Sequence, residues 1–275
     1  MQRKKIRSIV TGMTFAAALS AAGPAFAFGE VAHQAIAAMS AKLVSEQTLQ
    51  FAFTVLRVRP PEVALRRVQL WADRNPTAEI VKWKATPLPA SGGYDKARDC
   101  PDGACPAEKI AELRKVAMDK DATADARSDA LAFMMHMVAD VHMPKWIAPD
   151  AQPQKGVWVK IGDKTKLMHM FWDDEFADAF GPDPLTVMDQ LGVRLKPEQE
   201  KGWAAGTPQE WQNETILATR EFLAKLNLTN PDLGKTEANP IVLSAAQLQD
   251  VQNFYGQQIQ KSGVRLGWLL DQSAK

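Results

Sequence analysis

The chain has four histidines, and two of them stand four residues ahead of an aspartate: His136 with Asp140, and His169 with Asp173. On a helix that spacing places both side chains on one face, where they can reach a common point. Imidazole nitrogen with carboxylate oxygen is a donor set suited to zinc. The same spacing also serves a salt bridge or a helix-cap contact, so one pair alone is weak evidence, and the repetition is what strengthens the metal reading. Asp73, in Trp71-Ala-Asp73, is a further carboxylate behind an apolar helical face; by itself it reads as a helix-end charge. His142 lies six residues after His136, well round the helix at about 3.6 residues per turn. Its expected role is to bond backbone at the helix end.

The elements that must carry these groups read as helices. Thr207-Pro208-Gln209-Glu210 is a capping box with proline at the first helical position, and Ser244-Ala-Ala-Gln247 is a second capping box. Behind the second, Leu248, Val251, Tyr255 and Ile259 recur along one face of a long helix. Pro106 opens a helix whose Ile110, Leu113 and Val116 share a face. Val63, Leu65, Val68 and Trp71 suggest another after Pro60-Pro61. Asp129 to His142 reads as a helix closed before Pro144, and Phe171 to Ala179 as one more. Pro76–Asp99 and Pro144–Lys166 read as loops, the second holding a short strand pair near Val157-Trp158-Val159-Lys160. The predicted fold class is mainly α, one compact multi-helix domain.

The N-terminus has the parts of a secretory signal in order. Arg3, Lys4, Lys5 and Arg7 precede an apolar stretch from Ile9 to Ala22, and Ala25-Phe26-Ala27 has the small–any–small shape of a cleavage site. The apolar stretch falls short of the roughly 20 residues that a membrane span needs. Residues 1–27 are therefore expected to be removed, with export to the periplasm or beyond the cell, and no membrane span is expected in the remainder of the chain. Cleavage would free the α-amino group of Phe28, close in sequence to His33. The signal holds four of the 33 Lys and Arg and no acid, which leaves 29 basic against 32 acidic residues, a net charge of −3. That balance opposes a large sequence-independent affinity for nucleic acid but leaves room for a local basic groove. In an oxidising compartment Cys100 and Cys105, around the turn formers Pro101 and Asp102-Gly103, are expected to form a disulfide. Two thiols without a nearby histidine make a poor zinc site.

Several segments resemble one known family, and they do so in its order. Phe28-Gly-Glu-Val-Ala-His33 resembles the mature start Trp-Gly-x-x-Gly-His of the S1/P1 nuclease family, exported zinc-dependent single-strand nucleases and 3′-nucleotidases that share their fold with zinc phospholipase C. Trp71-Ala-Asp73 resembles its Trp-Ala-Asp. Tyr94 to Cys105 is similar to the Arg-Asp-Cys loop of bacterial members. His136-Met-Val-Ala-Asp140-Val-His142-Met-Pro144 resembles His-x-x-x-Asp-x-His-Gln-Pro, and Leu167-Met-His169-Met-Phe-Trp172-Asp173 resembles Asn-Leu-His-x-x-Trp-Asp. Gly263-Val-Arg265-Leu266 resembles part of Ala-Gly-Val-Arg-Leu-Ala. The resemblance implies a nuclease-like helical domain over residues 28–275 around a cleft with up to three zinc ions. The first would take the amine and carbonyl of Phe28, His33 and a shared Asp140. The second would take Asp73, His136, Asp140 and one more histidine, and the third His169, Asp173 and another. Water activated among the metals would attack phosphorus, with Asp73 as the catalytic carboxylate.

Four departures bear on that expectation. Lys84 and Trp146 stand where two family ligands, both histidines, would be. Ala85 removes an aromatic ring on which the family stacks a base. The Asp-x-Gly-Gly-Asn segment cannot be read in Asp150–Lys160. Loss of a donor should cost at least the roughly 10–100-fold that loss of a supporting partner costs. The ammonium of Lys84 would repel a metal, yet it could supply positive charge to Asp73 and Asp140 in its place. The expected zinc count is therefore one or two, with none as the limit. The expected activity is hydrolysis of phosphodiesters or phosphomonoesters in single-stranded nucleic acid or nucleotides. The alternative is a non-catalytic exported protein that keeps the fold to bind an unknown protein partner. A lipid substrate is a weaker third, since nothing in the sequence selects one.

Overall fold

The computed structural model describes residues 28–58, 63–84, 91–144, 157–192, 194–226 and 234–275. The signal segment 1–27, Pro60-Pro61, Ala85, Trp146, residues 150–156 and the sequon Asn227-Leu-Thr229 lie outside the described residues.

Helix α1 (Glu30–Leu43) begins two residues after Phe28, and α2 (Glu46–Leu56) is capped by the Ser45 hydroxyl, which accepts from the Thr48 N–H. Four short helices follow: α3 (Val63–Val68), α4 (Trp71–Arg74), α5 (Ala78–Lys84) and α6 (Lys96–Asp99). The last two lie inside the stretch expected to be a loop. Thr77 supplies the reason for α5, since its hydroxyl accepts from the Ile80 N–H and starts the turn. Helix α7 (Pro106–Met118) opens on its proline as expected. Helix α8 (Ala124–Asp140) starts five residues earlier than the sequence pattern suggests, because Thr123 caps it by accepting from the Ala126 N–H.

A small sheet of order β2-β1-β3 joins β1 (Trp158–Ile161) to β2 (Lys164–Leu167) antiparallel and to β3 (Ile241–Val242) parallel. Gly162, at φ 57°, makes the turn between β1 and β2. After β2, α9 (Met168–Met170) runs into a π-helical stretch, Phe171–Glu175, and then α10 (Phe176–Asp178). The expected α-helix at Phe171 therefore opens as a π-turn, a feature frequent at functional sites. The fold continues through α11 (Pro184–Gly192), α12 (Pro197–Trp203) and α13 (Pro208–Lys225), and it ends on α14 (Ala245–Ser273). Both capping boxes form at α13 and α14 as expected.

Helix α8 is the axis of the domain. It packs against α1, α2, α4, α7 and α14, and every residue from Ala130 to Asp140 is buried, including Met134, Met135 and Met137. Each such side chain contributes about 1.5–3 kcal/mol by leaving water. Helix α14, roughly 43 Å long at about 1.5 Å per residue, lies close against α1. A Cβ on Gly263 would sit 2.7 Å from Met39 Sδ. No helix of the described residues is long and apolar enough to cross a membrane.

Candidate metal centre

A helix buried all round must account for its polar side chains, because an unpaired buried polar group is costly. His136 and Asp140 are both buried on α8. Their spacing works as expected: His136 Nε2 lies 3.4 Å from Asp140 Oδ2. From α1, His33 brings Nε2 to 3.7 Å from Asp140 Oδ1. From α4, Asp73 brings Oδ1 to 3.7 Å from His136 Nε2. Lys84, at the end of α5, ion-pairs with that same Asp73 oxygen.

Aromatic contacts set these positions. Phe133, one turn before His136 on α8, meets Trp71 of α4 at 5.6 Å and stacks on Trp83 of α5 at 5.7 Å. One ring therefore fixes the helices that carry Asp73 and Lys84. Phe28 is fully buried, edge-on to Tyr255 of α14 at 5.4 Å and to His33 at 6.2 Å. Its contacts are made by the ring, so the Trp-to-Phe departure keeps an aromatic anchor beside His33.

His136 Nδ1 lies 2.8 Å from the Gln69 carbonyl. A carbonyl only accepts, so Nδ1 carries the proton, and a neutral ring then presents its Nε2 lone pair to the two carboxylates. Lone pairs facing carboxylate oxygens repel unless a cation lies between them. His33 Nδ1 and Nε2, His136 Nε2 and both oxygens of Asp140 have no hydrogen-bond partner. Burial, the largest cause, holds the His33 pKa well below its ordinary value and keeps its ring neutral, against the pull of Asp140. Burial alone would raise the Asp140 pKa, but nearby positive charge, that of Lys84 included, holds it far below the usual carboxylate range. Neutral imidazole and ionised carboxylate are the forms that bind metal.

The spacing suits zinc as well. Bonds of about 2.0–2.2 Å in a tetrahedron put neighbouring donors about 3.3–3.6 Å apart, against the 3.4 and 3.7 Å found between the histidines and Asp140. One donor atom from each of His33, His136 and Asp140 falls within 4.8 Å of the others, a candidate metal centre.

The other expected ligands stand apart from this group. Asp173 is buried on the π-helical stretch, whereas His169 is exposed on α9, although partial burial lowers its pKa. Neither joins His33, His136 and Asp140 in a shared group, and Trp146 lies outside the described residues. His142 donates from Nδ1 to the Val138 carbonyl at 2.6 Å and accepts at Nε2 from Arg265 at 2.8 Å. Both its nitrogens are thus used at the helix end. Arg265 and Lys261 both pair with Glu214, a buried network that the sequence does not announce beyond the presence of Arg265 in a motif. Cys100 and Cys105 form the expected disulfide. In the sequon Asn213-Glu-Thr215, Asn213 accepts from the Tyr94 N–H at 2.8 Å and Thr215 is buried, so glycan attachment there would break native contacts.

The protein named Nuclease S1 from Aspergillus oryzae is 23% identical over 275 residues, covering 93% of this chain and 95% of that protein. A family model described as S1/P1 Nuclease matches residues 28–275. The match takes in every described residue, so the chain belongs to the S1/P1 nuclease family.

Proposed function

We propose that the protein is an exported, zinc-dependent hydrolase of phosphate esters, acting on single-stranded nucleic acid or nucleotides in the periplasm or outside the cell. The observation that carries this reading is the convergence of three buried side chains, His33, His136 and Asp140, each with a donor atom that lacks a hydrogen-bond partner, in a chain of this family. Removal of residues 1–27 would add the Phe28 amine to the donor set, since Phe28 is buried beside His33. Zinc held there would supply Lewis acidity toward phosphate oxygen and a nucleophilic water near neutral pH.

The chain's own groups do the rest. The Gln69 carbonyl fixes the His136 tautomer that leaves Nε2 free to donate. Asp140 stays ionised and offers one oxygen to each histidine. Asp73 is the carboxylate that would orient the attacking water and accept its proton. Lys84 holds Asp73 in place and adds fixed positive charge where a phosphate would carry negative charge.

A second reading is favoured by the same ion pair. A lysine bound to the expected catalytic carboxylate suits a non-catalytic descendant that keeps the fold for binding. The two readings separate on protein beginning at Phe28, assayed on single-stranded DNA, RNA and a 3′-mononucleotide. Turnover that is abolished by a chelator and restored by zinc supports the hydrolase. Bound zinc with no turnover on any of these substrates supports the binding protein.

A further inference from the structure

The short helices α3 and α4 turn the same kind of face outward. On α3, Ala64, Arg67 and Val68 stand at i, i+3 and i+4, while Leu65 among them is fully buried. On α4 and its C-cap, Trp71, Arg74 and Asn75 repeat that spacing, while Ala72 is buried. Residues so spaced share one side of a helix. Both triads line one open groove of about 480 Å³, a volume in the range of small-ligand sites. The lining is mostly apolar, holds two guanidinium groups and contains no carboxylate. Arg74 meets Glu30 at 3.4 Å, with both side chains more than half exposed, and such a pair is worth little. Among the described residues, no ion pair or hydrogen bond engages the Arg67 side chain. Asn75 donates to the Trp71 carbonyl at 2.7 Å and closes α4, and Phe133 fixes the Trp71 ring from the core side. Asp73 lies between Trp71 and Arg74, about 100° round the helix from Arg74, and it faces His136 at 3.7 Å. Groove and metal centre are therefore neighbouring faces of one short helix.

We propose that this groove binds single-stranded nucleic acid, holding a nucleotide that flanks the one at the metal centre. A base lies on the apolar floor at Val68 and Trp71, and Arg67 and Arg74 hold backbone phosphates, Arg74 exchanging Glu30 for the strand. This rests on the hydrolase reading above and deepens it by giving the strand a path. A single strand offers flat apolar faces and regularly spaced negative charge, and the groove sets the complement of each side by side. Neither contact reads a base edge, so the site takes strands without regard to sequence. Arg74 follows Asp73 directly in the chain, so a strand with its reacting phosphate at the centre passes the groove next. The mature net charge of −3 opposes general affinity for nucleic acid, and a groove without carboxylates is the local exception it leaves open.

The test uses protein beginning at Phe28, treated with chelator to stop turnover and titrated onto a fluorescently labelled oligothymidylate over a range of salt. Arg67→Gln and Arg74→Gln should each lower the slope of log affinity against log salt by about 0.7, which at 0.1 M salt weakens binding about 5-fold. Glu30→Gln, which frees Arg74, should tighten binding. A strand carrying a photoreactive thiothymidine should cross-link to the peptide that holds Trp71. Both arginines are exposed, so the variants should keep native circular dichroism. Unchanged affinity and slope in both arginine variants, or cross-links confined to other peptides, would overturn the groove. If the zinc-loaded parent nonetheless cleaves single strands, the hydrolase reading stands and only the groove falls. No oligothymidylate binding by the parent, together with no turnover after zinc is restored, would overturn both.

Discussion

Zinc should raise the melting temperature of the chain, and His33→Ala should remove most of that rise. Both nitrogens of His33, Nε2 of His136 and both oxygens of Asp140 lack hydrogen-bond partners, and a ligand that binds only the folded state stabilises it by mass action. At zinc about 100-fold above its dissociation constant the gain is about 2.7 kcal/mol. In a domain of this length each kcal/mol moves the midpoint by roughly 2–4 °C, so the rise should be about 5–11 °C. His33→Ala removes one donor and, on the figure of roughly 10–100-fold for a lost supporting partner, lowers affinity at least that much. At the same zinc concentration the increment should fall to about 1.4 kcal/mol or less. Differential scanning calorimetry of both proteins, with zinc and with chelator, gives the two increments directly. The comparison is of increments, so the baseline loss from the cavity cancels. Equal increments in parent and variant would refute the placement of the ion at His33, and no increment in either would refute the metal centre.

Acid should destabilise the fold through His142, whose pKa is lowered from 6.5 to about 3 by burial and then by Arg265. A lowered histidine pKa means that below 6.5 the unfolded chain binds a proton that the native chain refuses, so stability falls as pH falls. Between pH 6.5 and 5 this costs about 2 kcal/mol, and urea unfolding at pH 7 and 5 should show about that much less loss in His142→Asn. Gly263→Ala should cost about 1–3 kcal/mol by overpacking, because its Cβ would lie 2.7 Å from Sδ and 2.9 Å from Cγ of Met39; adding Met39→Ala should recover part of that loss in a double-mutant cycle. Replacing Cys100 and Cys105 together by serine should cost about 2 kcal/mol, the worth of closing so short a loop, and leave zinc content unchanged by elemental analysis.

The helix-borne half of the centre was legible because helical spacing is a local rule: four residues separate His136 from Asp140, and the structure places them on one face. The capping boxes at Thr207 and Ser244 were legible for the same reason. Spacing alone could not bring His33 or Asp73 to that helix. Those contacts depend on how α1 and α4 pack, and the resemblance to a family supplied them before the geometry did. The Lys84–Asp73 ion pair was anticipated from the residue type at a ligand position. The stacking of the His33 ring on that of His136 had no sequence signal. Helix α5 was missed inside an expected loop because its start rests on one threonine hydroxyl, and the π-turn at Phe171 was missed because no local code distinguishes it from an α-helix. The network of Arg265, Glu214, Lys261 and His142 joins residues up to 123 positions apart, beyond the reach of any periodic pattern.

The methionines that line α8 also bear on the lifetime of the protein. Met134, Met135 and Met137 have no exposed surface in the native state. Thioethers gain oxygen readily once they meet an oxidant, and the resulting sulfoxide is polar and bulkier. Oxidation during a single excursion to the unfolded state would leave a chain whose central helix no longer fits its own interior. Where reductases that reverse the damage are absent, the working life of each molecule is then set by how rarely it opens, rather than by the equilibrium between its folded and unfolded forms.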